Sequence, residues 1–208
     1  MNLLDNFINE CDIALKTLSF KKSGTGRSYP TNETSSSLSK KEKSFSAQLM
    51  RVNLAGEVAA QALYRGQAMV CKDAEIKNHL VQAGEEETDH LIWCKKRLEE
   101  LNGKPSILNP VWYAGSFAIG AIFGSFGEKT SLGFVEETEK QVVKHLEKHL
   151  DKVSKNDTET IEILKTMRAD EDEHAKEAIE NGSESLSEPT KKVMNFTAKV
   201  MTSSSAYI

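Results

Sequence analysis

The chain has 208 residues, of which 38% are hydrophobic and 28% charged, with a formal net charge of −4. This length and composition suit one folded domain with its own hydrophobic core and exclude a disordered chain. The acidic balance argues against a nucleic-acid-binding protein, which would need a basic patch. The three cysteines lie far apart in the sequence, which indicates a reducing compartment rather than a disulfide framework.

The N-terminal segment 1–21 predicts an amphipathic helix, because its apolar residues recur at helical spacing. Residues 22–42 are rich in Ser and Thr and predict a flexible linker. The first residues show no basic start followed by an apolar run, so we expect no secretory signal and a cytoplasmic protein. The remaining residues, 43–208, predict the functional domain.

Helical periodicity runs through most of this domain. Long helices are predicted over roughly 43–70, 73–101, 131–152 and 157–181, and a short amphipathic helix over roughly 187–202. No segment alternates as a strand would. Four long helices with short to medium connections predict an all-α four-helix bundle with appended N- and C-terminal helices.

Residues 110–127 form an uncharged, Gly-rich apolar segment that predicts a further helix. Its length is near the lower limit for a membrane span, and its glycines and serines make it a poor lipid-facing helix. The segment is predicted either to pack in the core or to lie at a membrane interface. Its large side chains are Trp112, Tyr113, Phe117, Ile119, Ile122, Phe123 and Phe126.

Six ionisable residues interrupt the apolar pattern at inward-facing positions of the four long helices. Two pairs, Glu87 with His90 and Glu171 with His174, have members three residues apart, so each pair lies on one helix face. Single glutamates come from the other two helices. The full set is Glu57, Glu87, His90, Glu139, Glu171 and His174.

Charge balance favours a metal centre at these six residues. Four carboxylates in a core would repel one another, and each is costly to remove from water. Two divalent cations would balance the four charges, and two neutral imidazoles would complete the ligands. This is the ligand set of the di-iron carboxylate bundles, and its oxygen and imidazole donors suit iron or manganese. A structural bundle without metal would leave the four acids uncompensated.

Four further residues are candidates for contacts with the ligands. Glu86 and Asp170 each precede a predicted ligand, and we predict that they orient the histidines of the opposite helices; the alternative is two exposed acids. Tyr64 shares a helix face with Glu57. His145 lies four residues before His149, and this pair is predicted on a solvated face or beside the ligands, with metal binding less favoured.

The chain resembles the demethoxyubiquinone hydroxylases, the ferritin-like di-iron monooxygenases of ubiquinone biosynthesis. The resemblance covers roughly residues 45–180 and lies in four strings: LMRVNLAGEVAAQALYRGQ, EEETDHLIWCKKRLEELNGKPSILNPVWYAGSFAIGA, SLGFVEETEKQV and ADEDEHA. The metal ligands of that family map onto the same six residues. The family usually has His before Ala-Gly-Glu, where this chain has Leu54. That histidine is not a metal ligand in the family, so the metal site is unaffected.

The resemblance implies a reaction and its surroundings. The enzyme would use O2 and two iron ions per chain to hydroxylate ring carbon 5 of 2-polyprenyl-3-methyl-6-methoxy-1,4-benzoquinol. The reductant would be the quinol itself or a NAD(P)H-linked donor. Because the polyprenyl tail is insoluble, we expect a peripheral protein on the cytoplasmic side of the cell membrane. Partner proteins of ubiquinone synthesis, or other copies of the chain, are expected; nucleic acid is not.

Rival di-iron functions predict other features. A ferritin-like ferroxidase or iron-storage bundle predicts oligomeric cages, no apolar segment and no organic product, and it is the main alternative. Peroxide-reducing bundles often carry a CxxC iron module, which this chain lacks. A di-iron RNA hydroxylase would need a basic surface.

Overall fold

The structure, a computed structural model, describes residues 3–31 and 37–208. Within these residues it contains seven helices and no strand. The helices are α1 (Leu3–Leu18), α2 (Lys40–Val70), α3 (Ala74–Glu100), α4 (Asn109–Ser125), α5 (Glu128–Lys152), α6 (Thr158–Glu180) and α7 (Glu188–Ser205). The all-α prediction is therefore confirmed.

Two helices begin earlier than the periodicity predicted, because residues at their N-termini define the start. The Ser39 side chain accepts from the Glu42 backbone N–H, and the Glu42 carboxylate accepts from the Ser39 N–H. This capping box starts α2 at Lys40 rather than 43. Gly127, with φ of 106°, precedes α5, which starts at Glu128 rather than 131.

Helices α2, α3, α5 and α6 form the bundle. The helix α2 packs against α3, α5 packs against α6, and α3 and α6 also meet. The inward faces bury a continuous apolar core. Its largest fully buried side chains include Met50, Leu54, Leu91, Trp93, Leu146, Leu164 and Met167. Leu54, which stands where the resembled family has His, is thus a core residue.

Helix α4 lies against α2 through glycines. A Cβ at Gly120 would collide with the backbone carbonyl of Leu63, and one at Gly66 would collide with that of Phe117. The absence of side chains lets the two backbones approach closely. The opposite face of α4 is exposed at Val111, among other residues. No helix in the described parts of the chain is both long enough and apolar enough to cross a membrane.

Part of the segment predicted as a flexible linker lies against the bundle. Its residues 22–31 follow the outer face of α3, where the Thr25 backbone N–H donates to Asp89 at 3.0 Å and the Tyr29 hydroxyl donates to Glu100 at 3.1 Å. Side-chain and backbone donors in this polar segment find acidic acceptors on the bundle, so the segment is attached to it. Residues 1, 2 and 32–36 of the two predicted N-terminal segments lie outside the described residues.

Candidate metal centre

The structure brings the six predicted ligands to the middle of the bundle. Helix α2 supplies Glu57, and α5 supplies Glu139. Helices α3 and α6 each supply a Glu-x-x-His pair. All six side chains are buried, and the most exposed of them is 4% accessible. The apolar faces of four helices must meet to form the core, and that packing turns these polar residues inward together.

The two Glu-x-x-His pairs form a nearly symmetric arrangement. His90 Nδ1 lies 3.1 Å from Glu87 Oε2 and 3.2 Å from Glu171 Oε1. His174 Nδ1 lies 3.2 Å from Glu87 Oε1 and 3.4 Å from Glu171 Oε2. Each of these carboxylates therefore reaches both imidazoles, one oxygen to each. Such carboxylates are placed to contact two neighbouring cations.

The single glutamates are associated with different histidines: Glu57 Oε2 lies 3.8 Å from His90 Nδ1, and the charge of His174 acts on Glu139. Ligand atoms of Glu57, Glu87, His90 and Glu171 all lie within 4.8 Å of one another, as a single cation would require. Glu139 accepts a 2.7 Å hydrogen bond from the Tyr64 hydroxyl. The contact predicted between Tyr64 and the ligands is therefore formed.

Burial and neighbouring charges shift the pKa values of the acids and histidines in the cluster. Burial, then repulsion from Glu87, raises the pKa of Glu57 well above its usual range. Burial, followed by repulsion from Glu171 and Glu87, does the same to the pKa of Glu139. Burial opposes the protonation of His90, but the charges of Glu171 and Glu87 outweigh it and raise the pKa of His90 well above normal. Protons thus compensate the carboxylates where cations could do so.

Unpartnered atoms test whether a metal fits. Glu87 Oε1, Glu171 Oε2 and His174 Nδ1 are buried and have no hydrogen-bond partner among the described residues. The two oxygens face the same imidazole nitrogen. Buried polar atoms of this kind are normally satisfied, and a cation between them would satisfy all three. The mixed carboxylate and imidazole donors therefore fit a pair of divalent metal ions such as iron or manganese.

The far ring nitrogens of both histidines meet the two acids predicted to orient them. His90 Nε2–H donates to Asp170 Oδ2 at 2.9 Å. His174 Nε2–H donates to Glu86 Oε2, also at 2.9 Å. Each bond joins α3 to α6, so each acid serves the histidine of the opposite helix. A proton held on Nε2 leaves Nδ1 free to face the centre.

The surroundings of His145 differ from those that the sequence predicted. Its ring packs on that of His149, with 4.0 Å between centroids, and neither ring bonds to any of the six ligands in the described part of the chain. His149 is buried and His145 half-buried, so the pair does not lie on a solvated face either. Packing of α5 against its neighbours, which periodicity does not specify, covers the rings.

Sequence reasoning missed Arg27 and Trp93. The Arg27 guanidinium donates to both oxygens of Asp170 and lies 5.0 Å from the centre of the Trp93 ring. The Trp93 ring lies 5.3 Å from that of His90. Trp93 follows His90 by three residues, a spacing that would have placed it beside the ligand. Arg27 lies in an irregular segment, where no periodic signal exists.

The fold and the site define a ferritin-like helical bundle whose buried carboxylate–histidine cluster could hold metal. Comparison with known proteins identifies the family within this class. A model of the family described as "Ubiquinone biosynthesis protein COQ7" matches residues 44–205. The chain belongs to this family, and the resemblance deduced from its sequence is confirmed.

Relatives match along the whole chain. A 3-demethoxyubiquinol 3-hydroxylase of Legionella pneumophila (strain Lens) is 49% identical over 209 residues, which cover 100% of this chain and 98% of the relative. Proteins of the same name from Francisella philomiragia and Francisella tularensis subsp. novicida are 48% and 46% identical, each over 97% of this chain and 96% of the relative. The likeness therefore includes the N-terminal segment that precedes the family match.

Proposed function

We propose that the protein is a 3-demethoxyubiquinol 3-hydroxylase, an O2-dependent monooxygenase of ubiquinone biosynthesis. The observation that carries the proposal is the buried, nearly symmetric cluster of two Glu-x-x-His pairs in a member of this family. Position 3 of ubiquinol is ring carbon 5 when the polyprenyl-bearing carbon is numbered 2. The substrate is thus the 2-polyprenyl-3-methyl-6-methoxy-1,4-benzoquinol expected from the sequence.

Two iron ions are the proposed cofactors. One would be held by Glu57, Glu87, His90 and Glu171, whose ligand atoms already lie close together. The other would be held by Glu139 and His174, with Glu87 and Glu171 shared between both. When bound, the iron pair supplies the redox chemistry that activates O2. Iron is favoured over manganese because the proposed reaction consumes O2.

The residues of the chain provide a fixed and dry environment for that chemistry. Burial of all six ligands excludes bulk water and strengthens the electrostatic interactions inside the cluster. The hydrogen bonds from His90 to Asp170 and from His174 to Glu86 hold each Nε2 proton and fix each ring. The Tyr64 hydroxyl holds one oxygen of the Glu139 carboxylate.

The overall reaction must balance atoms and electrons. One oxygen atom of O2 enters the ring as a hydroxyl group, and the other leaves as water. Oxidation of the ring C–H bond supplies two electrons, and a reductant supplies two more. We propose that the reductant is the quinol itself or a NAD(P)H-linked donor, as the family resemblance implies.

A membrane-facing surface is proposed at α4 and α7. Val111 and Ile122 of α4 and Phe126, directly after it, are exposed; on α7, Val193 and Phe196 are exposed, with Phe126 65% and Phe196 69% accessible. Exposed apolar side chains that group into a patch mark interaction sites, and the polyprenyl tail requires a lipid phase. We therefore propose a peripheral protein on the cytoplasmic side of the cell membrane, as expected from the family resemblance.

Flotation with anionic liposomes tests this surface. We expect the wild type to float and the variant Phe126→Glu/Phe196→Glu to remain at the bottom, because charges would have to enter the lipid interface. The control Ile179→Glu changes an exposed apolar residue of α6 and is expected to float. If the wild type fails to float but associates with a partner protein of ubiquinone synthesis, or with itself, the surface is a protein interface.

Anaerobic reconstitution tests the reaction. Metal-free protein is titrated with ferrous iron and then given O2 and a short-tail quinol substrate. About two irons per chain and a hydroxylated quinone by mass spectrometry are expected, and Glu87→Ala and Glu171→Ala should lose both. Iron oxidation without quinone product would move the function to the alternative, a ferroxidase. No bound iron would refute the metal centre itself.

A further inference from the structure

The segment 22–31, which we call the strap, is attached along the outer face of α3 at several points. Lys22 Nζ lies 3.5 Å from the Gln61 side-chain oxygen and from the Gly84 carbonyl. Thr25 binds Asp89 through both its backbone N–H and its hydroxyl. Asp89 is 2% accessible, so the strap covers a carboxylate that precedes the ligand His90 directly.

The backbone of the strap approaches this carboxylate very closely. A Cβ at Gly24 would collide with Asp89 Oδ1, so only glycine permits the approach there. Further along, the Lys96 ammonium lies 3.8 Å from the centre of the Tyr29 ring, a cation–π contact. Contacts on both sides of Arg27 thus hold the strap in a definite position.

Arg27 reaches the metal centre from this position by two routes. Its Nη1 and Nη2 donate to Asp170 Oδ2 at 2.7 Å and Oδ1 at 3.1 Å, a two-pronged pairing. Asp170 Oδ2 also accepts from His90 Nε2. The guanidinium faces the Trp93 ring as well, and that ring touches His90. Arg27 therefore restrains both groups that orient the His90 imidazole.

The other half of the centre has no such restraint. Glu86, which accepts from His174, also accepts from Gln82 Nε2 of its own helix at 3.1 Å. Among the described residues, no arginine or lysine pairs with Glu86. The guanidinium of Arg27, which comes from outside the bundle, therefore distinguishes the two nearly symmetric halves.

We infer that Arg27 is a positioning residue for one of the two metal ions, acting through Asp170 on His90, and that the strap makes the two metal positions unequal. The inference rests on the metal centre of the proposed function. It assigns to the N-terminal segment a role in the centre although that segment supplies no ligand. Mutating a residue that hydrogen-bonds to a metal ligand typically lowers metal affinity by about 10- to 100-fold.

Titration of the metal-free full-length chain with Co2+ tests the inference, because cobalt reports each binding step through its visible absorption. Arg27→Gln is expected to weaken one step by about 10-fold and to leave the other unchanged. The control Arg168→Gln removes an arginine that pairs with Glu147 on the surface and should leave both steps unchanged. A melting curve of each variant checks the fold.

A double-mutant cycle tests the route. Asp170→Asn alone should weaken the same step, and adding Arg27→Gln to it should cost much less than Arg27→Gln costs alone, because Arg27 acts mainly through Asp170. Unchanged cobalt binding in Arg27→Gln, equal weakening of both steps, or additive losses in the double variant would overturn the inference. A wild type that binds no cobalt would instead refute the metal centre, and the inference with it.

Discussion

Two buried tyrosines illustrate, at the level of single residues, how a hydrogen bond connects a side chain to the candidate metal centre. The Tyr64 hydroxyl donates to Glu139 at 2.7 Å. The Tyr113 hydroxyl is equally buried but has no hydrogen-bond partner in the described part of the chain. The same atom type therefore orients a ligand in one position and contributes only its ring in the other.

The first prediction compares the two hydroxyl groups. Tyr64→Phe is expected to weaken metal binding by about 10-fold, because Glu139 loses the donor that orients it. Tyr113→Phe loses no hydrogen bond, so the free energy of unfolding should not fall. Metal titration and urea unfolding of both variants provide the measurements. Equal metal affinities in wild type and Tyr64→Phe would contradict the proposed orientation of Glu139.

The His145–His149 pair is expected to make the free energy of unfolding depend on pH. Burial, assisted by Lys148 and Lys152, lowers the pKa of His145 from 6.5 to about 4. Burial, followed by the charges of His145 and Lys152, lowers the pKa of His149 from 6.5 to about 3. Below pH 6.5 the unfolded chain therefore binds protons that the folded chain does not.

The second prediction concerns this pair. As pH falls from 6.5 towards 4, the pair should reduce the free energy of unfolding by about 1.4 kcal/mol per pH unit for each histidine. Above pH 7 both states are neutral and the effect vanishes. Urea unfolding of wild type and of His145→Gln/His149→Gln isolates the effect, since all other groups are shared. Parallel pH profiles would show that the rings are not buried as neutral groups.

At the level of elements, close contact between α2 and α4 depends on glycine. A Cβ at Gly120 would meet the Leu63 backbone, whereas a Cβ at Gly115 of the same helix would have no atom of the described residues within 4 Å. Both positions are helical, so their intrinsic preference for alanine is alike. Only the neighbouring helix distinguishes them.

The third prediction uses these two glycines. Gly120→Ala is expected to destabilise the protein by about 1–3 kcal/mol, because α4 must move away from α2. Gly115→Ala should stabilise it by about 0.5–1 kcal/mol, since alanine favours the helix and meets no obstacle. Thermal unfolding of both variants measures the difference. A Gly120→Ala variant as stable as Gly115→Ala would mean that the helices are not packed this closely.

For the whole molecule, metal binding and folding should be coupled. The folded chain gathers four carboxylates that the unfolded chain keeps apart in water, and metal ions would bind the folded state preferentially. Protonation of Glu57 and Glu139, whose pKa values are raised by burial and neighbouring charge, competes with the metal. Metal affinity should therefore fall as the pH falls.

The fourth prediction follows from this coupling. Ferrous iron at about 100 times its dissociation constant should stabilise the chain by about 3 kcal/mol, which raises Tm by about 5–10 °C. A chelator should reverse the increase. Anaerobic calorimetry measures the shift, and Glu87→Ala serves as the control that should not respond. An equal shift in this variant would place the metal elsewhere.

The sequence alone predicted the bundle and the clustering of the candidate ligands, because both follow from periodicity and charge. Glu-x-x-His spacing turns both members of a pair to one face, and four acids gathered in a core favour the binding of cations. Adjacency to the ligands also identified Glu86 and Asp170, since a helix places neighbours at the rim of the same site. The structure places all eight of these residues together.

Only the tertiary structure decided the contacts that have no periodic signal. Arg27 and Asp170 are 143 residues apart, and nothing in the composition of the strap distinguishes an attached segment from a free one. Burial of His145 likewise depends on which helix covers α5, not on its own spacing. The spacing of apolar residues in a helix specifies which of its faces turns inward. The residues that an irregular segment contacts are specified only when the whole chain has folded.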